Sequence, residues 1–258
     1  MIAGAIPEAW LTIGAVAFGA TLAGFVEGLA GLAFPFVALA LWGWALPPQM
    51  AAPLAVFGAL LGEAASLGAA PGGLDLRRLA PLAAGGALGA PIGVFLLHNA
   101  EVPRFRLAVG ALLTLYGLYR LAARDGARAR PGGGGLDAFA GLIGGALGGF
   151  SGMAGAVGEV WTRRRGLKRE ARRATAAAYA AVAHVAALAV YASAGALAAE
   201  AFRLFVVVAP AALVSSYLGA AFARRSRQTI VARAAPALIA AAGVALIVGF
   251  ARTLSGAR

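Results

Sequence analysis

Long apolar runs, separated by short groups of Gly, Pro and charged residues, dominate the hydrophobic pattern of this chain. They cover residues 9–26, 28–47, 49–62, 79–97, 107–119, 136–158, 174–199, 204–223 and 234–251. A helix needs about 20 apolar residues to cross a hydrocarbon core of about 30 Å. Runs of this length and polarity predict membrane-spanning helices. We therefore predict an all-α, polytopic integral membrane protein with about eight transmembrane helices.

The first apolar stretch is too long for one crossing. Residues 9–46 contain a single charge, Glu27, and as one straight helix they would extend about 57 Å, nearly twice the hydrocarbon thickness. Gly28, Gly31 and Pro35 follow Glu27 and favour a break there. We expect one full helix followed by a second crossing or a re-entrant arm.

A polar linker divides the chain into two similar halves. The stretch "LAARDGARARPGGGG" at 121–135 has no apolar periodicity, which is typical of a connection between units. On either side, "GFVEGLAGLAF" and "GGFSGMAGAVG" align at an offset of 121 residues, which places Gly28 on Gly149 and Gly31 on Gly152. We predict a first repeat at 1–121, a linker at 122–135 and a second repeat at 136–258. Duplicated helical membrane units with broken helices are typical of secondary transporters.

Composition and charge agree with this class. Of the 258 residues 61% are hydrophobic and 12% charged, and the mean hydropathy is +0.84, outside the range of ordinary soluble domains. The net charge is +12, and the basic residues that produce it lie between the apolar runs. We therefore expect these residues to set the membrane topology and to contact anionic lipid, and we expect no nucleic-acid partner. Because no Lys or Arg precedes the first run, we expect a retained helix and no cleaved signal peptide.

Two ionisable residues occupy equivalent positions in the predicted repeats. Glu63 lies within "FGALLGEAASLG" and His184 within "YAAVAHVAALAVY", again 121 residues apart. Ionisable side chains inside a membrane are costly and often functional. If the repeats face each other, this carboxyl and imidazole approach a common cavity and exchange a proton near neutral pH. The alternative is that each is a hydrogen-bonded packing residue.

The predicted break after Glu27 has an expected counterpart in the second repeat, at the glycines of "GGFSGMAGAVG", and these two breaks carry the second group of candidates. Unwound backbone exposes N–H groups, and helix amino ends favour anions. The predicted substrate-binding residues are Gly28, Gly31, Gly149, Ser151, Gly152, Glu63 and His184. Glu27 joins Glu63 and His184 as a third candidate for proton coupling. Glu159, Arg163 and Arg165 form a predicted approach for the anion; the alternatives are that Glu159 simply pairs with Arg163 four residues later and that the basic residues anchor the chain to lipid.

Signatures of other functions are missing from the sequence. HExxH, GxSxG and Walker motifs do not occur, there is no Cys, and the two His residues are 86 positions apart. We therefore expect no enzyme activity, no cofactor and no metal site with local ligand spacing. His98, at the end of an apolar run, is interpreted as interfacial.

The order of several motifs resembles a known family. They are the two Gly-rich openings above, "GGLDLRRLAPLAAGGALGAPIGVFLL" in the first half and "WTRRRGLKREARRAT" in the second. Over nearly its full length the chain resembles the TauE/SafE membrane permeases. The resemblance implies a multi-pass protein of the bacterial inner membrane that moves a small organic or sulfur-containing anion, such as a sulfonate or sulfite, with ion or proton coupling. The partners implied are membrane lipids and the anion, and a homodimer is allowed.

Two alternatives stay open at this level. One is a proton-coupled divalent-cation carrier, because three carboxylates lie in or beside apolar runs: Glu27, Glu63 and Glu159. The other is a non-transporting membrane subunit that acts as a scaffold for a partner protein.

Overall fold

A computed structural model describes residues 8–31, 33–69, 74–123, 133–195, 197, 199–225 and 228–255. These residues form ten helices and no strands, which confirms the predicted all-α class. The helices are α1 (Glu8–Ala30), α2 (Phe34–Ala45), α3 (Pro48–Ala69), α4 (Leu76–His98), α5 (Val102–Ala122), α6 (Gly134–Ser151), α7 (Ala154–Arg164), α8 (Arg169–Ser193), α9 (Ala199–Arg225) and α10 (Gln228–Ser255).

Seven of these helices are long and apolar enough to cross a membrane: α1, α3, α4, α5, α8, α9 and α10. The other three belong to two helical hairpins. In the first, α2 is a short apolar helix that folds back along α1, with the Trp42 indole donating to the carbonyl of Ala15 at 3.2 Å. In the second, the continuous apolar run at 136–158 is interrupted, so that α6 is followed by the shorter α7. The chain is thus a polytopic membrane protein with two broken helices.

Both breaks occur at a glycine with left-handed backbone geometry. Gly31 follows α1 with φ of 63°, and Gly152 follows α6 with φ of 74°. Residues with a Cβ rarely adopt this conformation, whereas Gly adopts it readily. Each N–H bonds to the carbonyl four residues earlier, Gly31 to Glu27 and Gly152 to Gly148, both at 2.7 Å. These two amides therefore close the preceding helix and are not free for a ligand.

Gly28 and Gly149 lie inside α1 and α6, although the sequence placed them at the breaks. A Cβ added at Gly28 would overlap the carbonyl oxygen of Ser216 in α9, and one at Gly149 would overlap that of Ala90 in α4. These glycines permit close helix approach. Their contribution is to the packing of α1 on α9 and of α6 on α4.

The first helix of each half packs against the fourth helix of the other half, because α1 contacts α9 and α4 contacts α6. Such reciprocal contacts are compatible with the predicted duplication, but the duplication and its domain boundaries stay predictions. Most of the predicted linker, 124–132, lies outside the described residues.

Helices α3 and α8 form the centre between the two hairpins. They run antiparallel, because Ser66 of α3 bonds to Arg173 near the start of α8, whereas Gln49 shares a cavity lining with Tyr191 near the end of α8. The break at Gly31 lies beside Arg173, and the break at Gly152 lies beside Ala55 in the first half of α3. The hairpins therefore reach the centre from opposite ends of the bundle.

Candidate functional site

The two hairpin tips meet at the centre of the bundle. A Cβ added at Gly152 would lie 3.3 Å from the Cβ of Pro35, so the amino ends of α2 and α7 are neighbours. Between them is a cavity of about 10 Å³, room for about one water molecule. Its lining residues are Glu27, Pro35, Phe36, Ala59, Glu63, Gly152, Met153, Gly155 and Ala156.

Glu63 and His184 contact each other beside this cavity. Nδ1 of His184 lies 3.0 Å from Oε2 of Glu63, and the two residues are 2% and 0% exposed, respectively. The pair joins α3 to α8. The structure thus brings together the two residues that the sequence placed at equivalent repeat positions. Their role in proton transfer stays a prediction.

Glu27 lies over the amino end of α2. Its Oε2 accepts the N–H of Phe34 at 2.7 Å and also the N–H of Ala33. A helix amino end carries a partial positive charge and unsatisfied N–H groups, which a carboxylate neutralises and pairs. The anion seat predicted at the first break is therefore filled by the protein's own carboxylate.

Glu27 also approaches the Glu63–His184 pair. Its Oε1 would be 2.9 Å from a Cβ added at Gly62, the residue before Glu63. Gly62 therefore leaves the space that the Glu27 side chain occupies. Glu27 of α1 therefore lies near the pair that Glu63 of α3 forms with His184 of α8.

The second break differs from the first in its side chains. Gly148 stands where the first half has Glu27, at the offset of 121 residues. Met153, the N-cap residue of α7, makes no side-chain capping hydrogen bond to any described residue. Ser151 Oγ donates to the carbonyl of Leu147 at 2.8 Å, so the hydroxyl hydrogen of Ser151 is bonded within the last turn of α6.

Glu159 belongs to a separate cluster of charges between α5 and α7. Its Oε2 accepts from Tyr116 Oη at 2.6 Å and from Arg120 at 2.7 Å, and its Oε1 lies 3.5 Å from Arg163. The expected pairing of Glu159 with Arg163 is present, but the shorter ion pair is with Arg120, which the sequence did not associate with it. Since α5 and α7 are far apart in sequence, no spacing rule relates these two residues.

Arg165 is also paired with a carboxylate. It lies 3.2 Å from Asp137 of α6, which additionally accepts the Trp161 indole N–H at 2.7 Å. An anion approaching Arg163 or Arg165 would compete with the carboxylates of Glu159 and Asp137. The predicted anion approach along these residues stays a prediction. Asp137 was missed in the sequence because it stands at the start of an apolar run, where a carboxylate usually faces water.

Arg173 is the cation next to the first break. Its terminal nitrogen would lie 3.2 Å from a Cβ added at Gly31, and its Nε donates to Ser66 Oγ at 3.3 Å. Ser66 lies one turn beyond Glu63 on α3. Arg173 was not singled out in the sequence because nothing distinguishes it from the other arginines of its basic run.

The ion pairs of Glu159 give a prediction for stability. Arg120→Gln is expected to lower the free energy of unfolding by about 1.5–3 kcal/mol, because it removes a short, partly buried, charge-assisted hydrogen bond. Arg104→Gln removes an exposed ion pair with Glu101 at 3.5 Å and is expected to cost at most about 0.5 kcal/mol. Unfolding midpoints of the two purified variants in the same detergent measure the difference. Equal shifts, or a larger shift for Arg104→Gln, would contradict the assignment.

Comparison with known proteins identifies the family. Residues 16–246 match a family model described as "Sulfite exporter TauE/SafE". A search of curated proteins and a search of solved structures each found no match. The match covers both hairpins and the cavity between them, and the chain therefore belongs to the TauE/SafE family of membrane transporters.

Proposed function

We propose that this protein is a secondary transporter that moves a small organic or sulfur-containing anion, of the sulfite or sulfonate type, across the bacterial inner membrane together with a proton. The observation that supports it is the meeting of two broken-helix amino ends at a cavity beside Glu27, Glu63 and His184. Family membership supports the transporter class. Membrane lipids are the other partner that we propose.

Helix amino ends explain why the cargo is an anion. A helix amino end carries roughly half a positive charge, and broken helices of transporters use such ends to hold anionic groups. At α2 the carboxylate of Glu27 already occupies this position, whereas α7 has no side-chain cap among the described residues. The cavity in this structure has room for about one water molecule, which is too little for a sulfite or sulfonate anion. Loading an anion then requires the α1–α2 or α6–α7 hairpin to move, as in alternating access.

A coupled proton makes the movement of the anion less costly. Carrying one negative charge against a membrane potential costs about 2.3 kcal/mol per 100 mV, and a proton bound at the same time cancels that charge. The buried pair of Glu63 and His184 provides a carboxyl and an imidazole for this purpose. An imidazole changes its charge near physiological pH.

The alternative of a divalent-cation carrier has no supporting geometry. Within the described part of the chain, no three His, Asp or Glu side chains are grouped so that they could hold a metal ion. Glu27, the carboxylate nearest to Glu63, is engaged with the amino end of α2. No contact among the described residues favours the scaffold alternative.

Transport by the purified protein tests the proposal. Proteoliposomes loaded with unlabelled sulfite are expected to take up external ³⁵S-sulfite faster than protein-free liposomes, and an inwardly directed proton gradient should drive accumulation of labelled methanesulfonate. Methanesulfonate does not titrate near neutral pH, so its proton dependence reports on the protein. If neither anion exchanges above the protein-free control while an added divalent cation does, the proposed function is wrong.

A further inference from the structure

The two helix amino ends at the cavity are not equivalent. At α2, the carboxylate of Glu27 accepts the N–H groups of Ala33 and Phe34. At α7, the corresponding position is Gly148, which has no side chain, and Met153 provides no cap within the described chain. An incoming anion would therefore meet the carboxylate of Glu27 at the amino end of α2. At the amino end of α7, the equivalent residue Gly148 provides no carboxylate.

A buried nitrogen without a partner among the described residues lies at the same end of α7. Nε2 of His184 is fully buried and makes no hydrogen bond to them. A Cβ added at Gly148 would lie 3.6 Å from this nitrogen and 2.9 Å from the Cβ of Ala154, the first residue of α7. Native proteins rarely leave a buried polar atom unpaired, and a ligand, ion or water molecule at this place would complete the hydrogen bonding of Nε2.

Glu63 is the ionisable group that faces His184 most directly. It comes from α3, and Glu27 of α1 stands beyond it, next to Gly62. Helices α4 and α6 face this part of α8 with glycines, and the hydroxyls of Tyr179 and Tyr191 on α8 donate to carbonyls of α6. From α7, Glu159 is directed to Tyr116 and Arg120. Glu63 is therefore the ionisable partner of the ring, at Nδ1, whereas Nε2 lies beside Gly148, which in turn lies beside the first residue of α7.

We propose that the transported anion binds at the amino end of α7, with one oxygen on Nε2 of His184, and that Nε2 carries the coupled proton. This inference rests on the proposed transport function and adds the atom at which proton and anion meet. The ligand class is a small oxyanion with a sulfonate-like or sulfite-like head. Glu27 acts as a fixed anion at the other amino end, so one chain binds one transported anion.

The chemistry of the imidazole explains the coupling. When Nδ1–H donates to the Glu63 carboxylate, neutral His184 presents a lone pair at Nε2, which repels an anion. Addition of a proton forms an Nε2–H bond, and the ring becomes a cationic donor toward the anion. The proton leaves Nε2 when the anion departs. Binding of anion and proton is thus mutually favourable, as linkage requires.

Nitrogen NMR of the imidazole tests this directly. The chain contains only two His residues, so in His98→Gln every imidazole signal comes from His184. In ¹⁵N-histidine-labelled His98→Gln in detergent, the ¹⁵N chemical shift of Nε2 is expected to be that of an unprotonated nitrogen when no ligand is present. At the same pH with saturating methanesulfonate, the shift is expected to be that of a protonated nitrogen. An Nε2 that stays unprotonated when the anion is bound overturns the inference.

Binding affinity provides a second measurement. If one proton is taken up with each anion, the affinity of His98→Gln for methanesulfonate should fall about tenfold for each pH unit, above the pH at which the site without anion loses its proton. His184→Gln should bind more weakly and without this pH dependence. An unchanged pH profile in a folded His184→Gln overturns the inference while leaving the transport function intact. Failure of His98→Gln and of the unmodified protein to bind or transport either anion overturns the transport function itself.

Discussion

Glu63→Gln is expected to lower proton-driven methanesulfonate accumulation by about 10- to 100-fold. Gln matches Glu in size and still accepts a hydrogen bond from Nδ1 of His184, so the fold should persist. It lacks the negative charge that orients and stabilises a protonated imidazole, and hydrogen bonds to charged groups contribute about 1.5–3 kcal/mol. Since every 1.4 kcal/mol is a factor of ten, this loss corresponds to the stated range. Initial rates in proteoliposomes with and without a proton gradient measure it.

The matched control for this variant is Glu101→Gln. Glu101 precedes α5 and makes an exposed ion pair with Arg104 at 3.5 Å, so the same chemical change occurs away from the cavity. Glu101→Gln should accumulate methanesulfonate like the unmodified protein. If folded Glu63→Gln also retains full accumulation and an unchanged pH profile, Glu63 is a packing residue and has no part in coupling.

Gly89→Ala is expected to have the largest effect on stability, lowering the free energy of unfolding by about 3 kcal/mol or more. Gly85, Gly89 and Gly93 form one face of α4, and a Cβ added at any of them would overlap a backbone carbonyl of α6. A methyl group at the middle position forces α4 and α6 apart. Overpacking typically costs 1–3 kcal/mol, and a rigid backbone neighbour places this case at the upper end. The yield of monodisperse protein and the unfolding midpoint in detergent report the loss.

Gly14→Ala controls for the intrinsic effect of replacing Gly in a helix. Gly14 lies inside α1, and a Cβ added there would have no atom of the described residues within 4 Å. Removing the flexibility of Gly should stabilise the helix by about 0.5–1 kcal/mol. The two substitutions are therefore expected to shift the midpoint in opposite directions. A midpoint for Gly89→Ala equal to that of Gly14→Ala would mean that α4 and α6 do not pack as closely as described.

Much of the framework is predictable from the sequence because it depends on local rules. The need for a break after Glu27 follows from helix length, and the offset of 121 residues relates Gly31 to Gly152. The same offset relates Glu63 to His184. These are relations along the chain, which a sequence shows directly.

The roles of the individual glycines at the breaks could be told apart only in the structure. Gly28 and Gly31 are three residues apart and look alike in the sequence, yet Gly28 packs against α9 and Gly31 turns the chain. Both roles favour Gly, one for lack of volume and the other for a positive φ. A sequence pattern that contains both glycines does not distinguish between the two reasons.

By itself the sequence determined the membrane class, the two interrupted helices, the family resemblance and the residues that pair across the centre. Only the tertiary structure decided that Glu27 occupies the amino end of α2, that Arg120 pairs with Glu159, and that Nε2 of His184 is buried beside Gly148 without a partner among the described residues. The physical reason is the distance along the chain over which each property is determined. Hydropathy and backbone conformation are set by neighbouring residues, whereas the partner of a buried charge depends on how distant helices pack and which polar atoms that packing brings within about 3 Å.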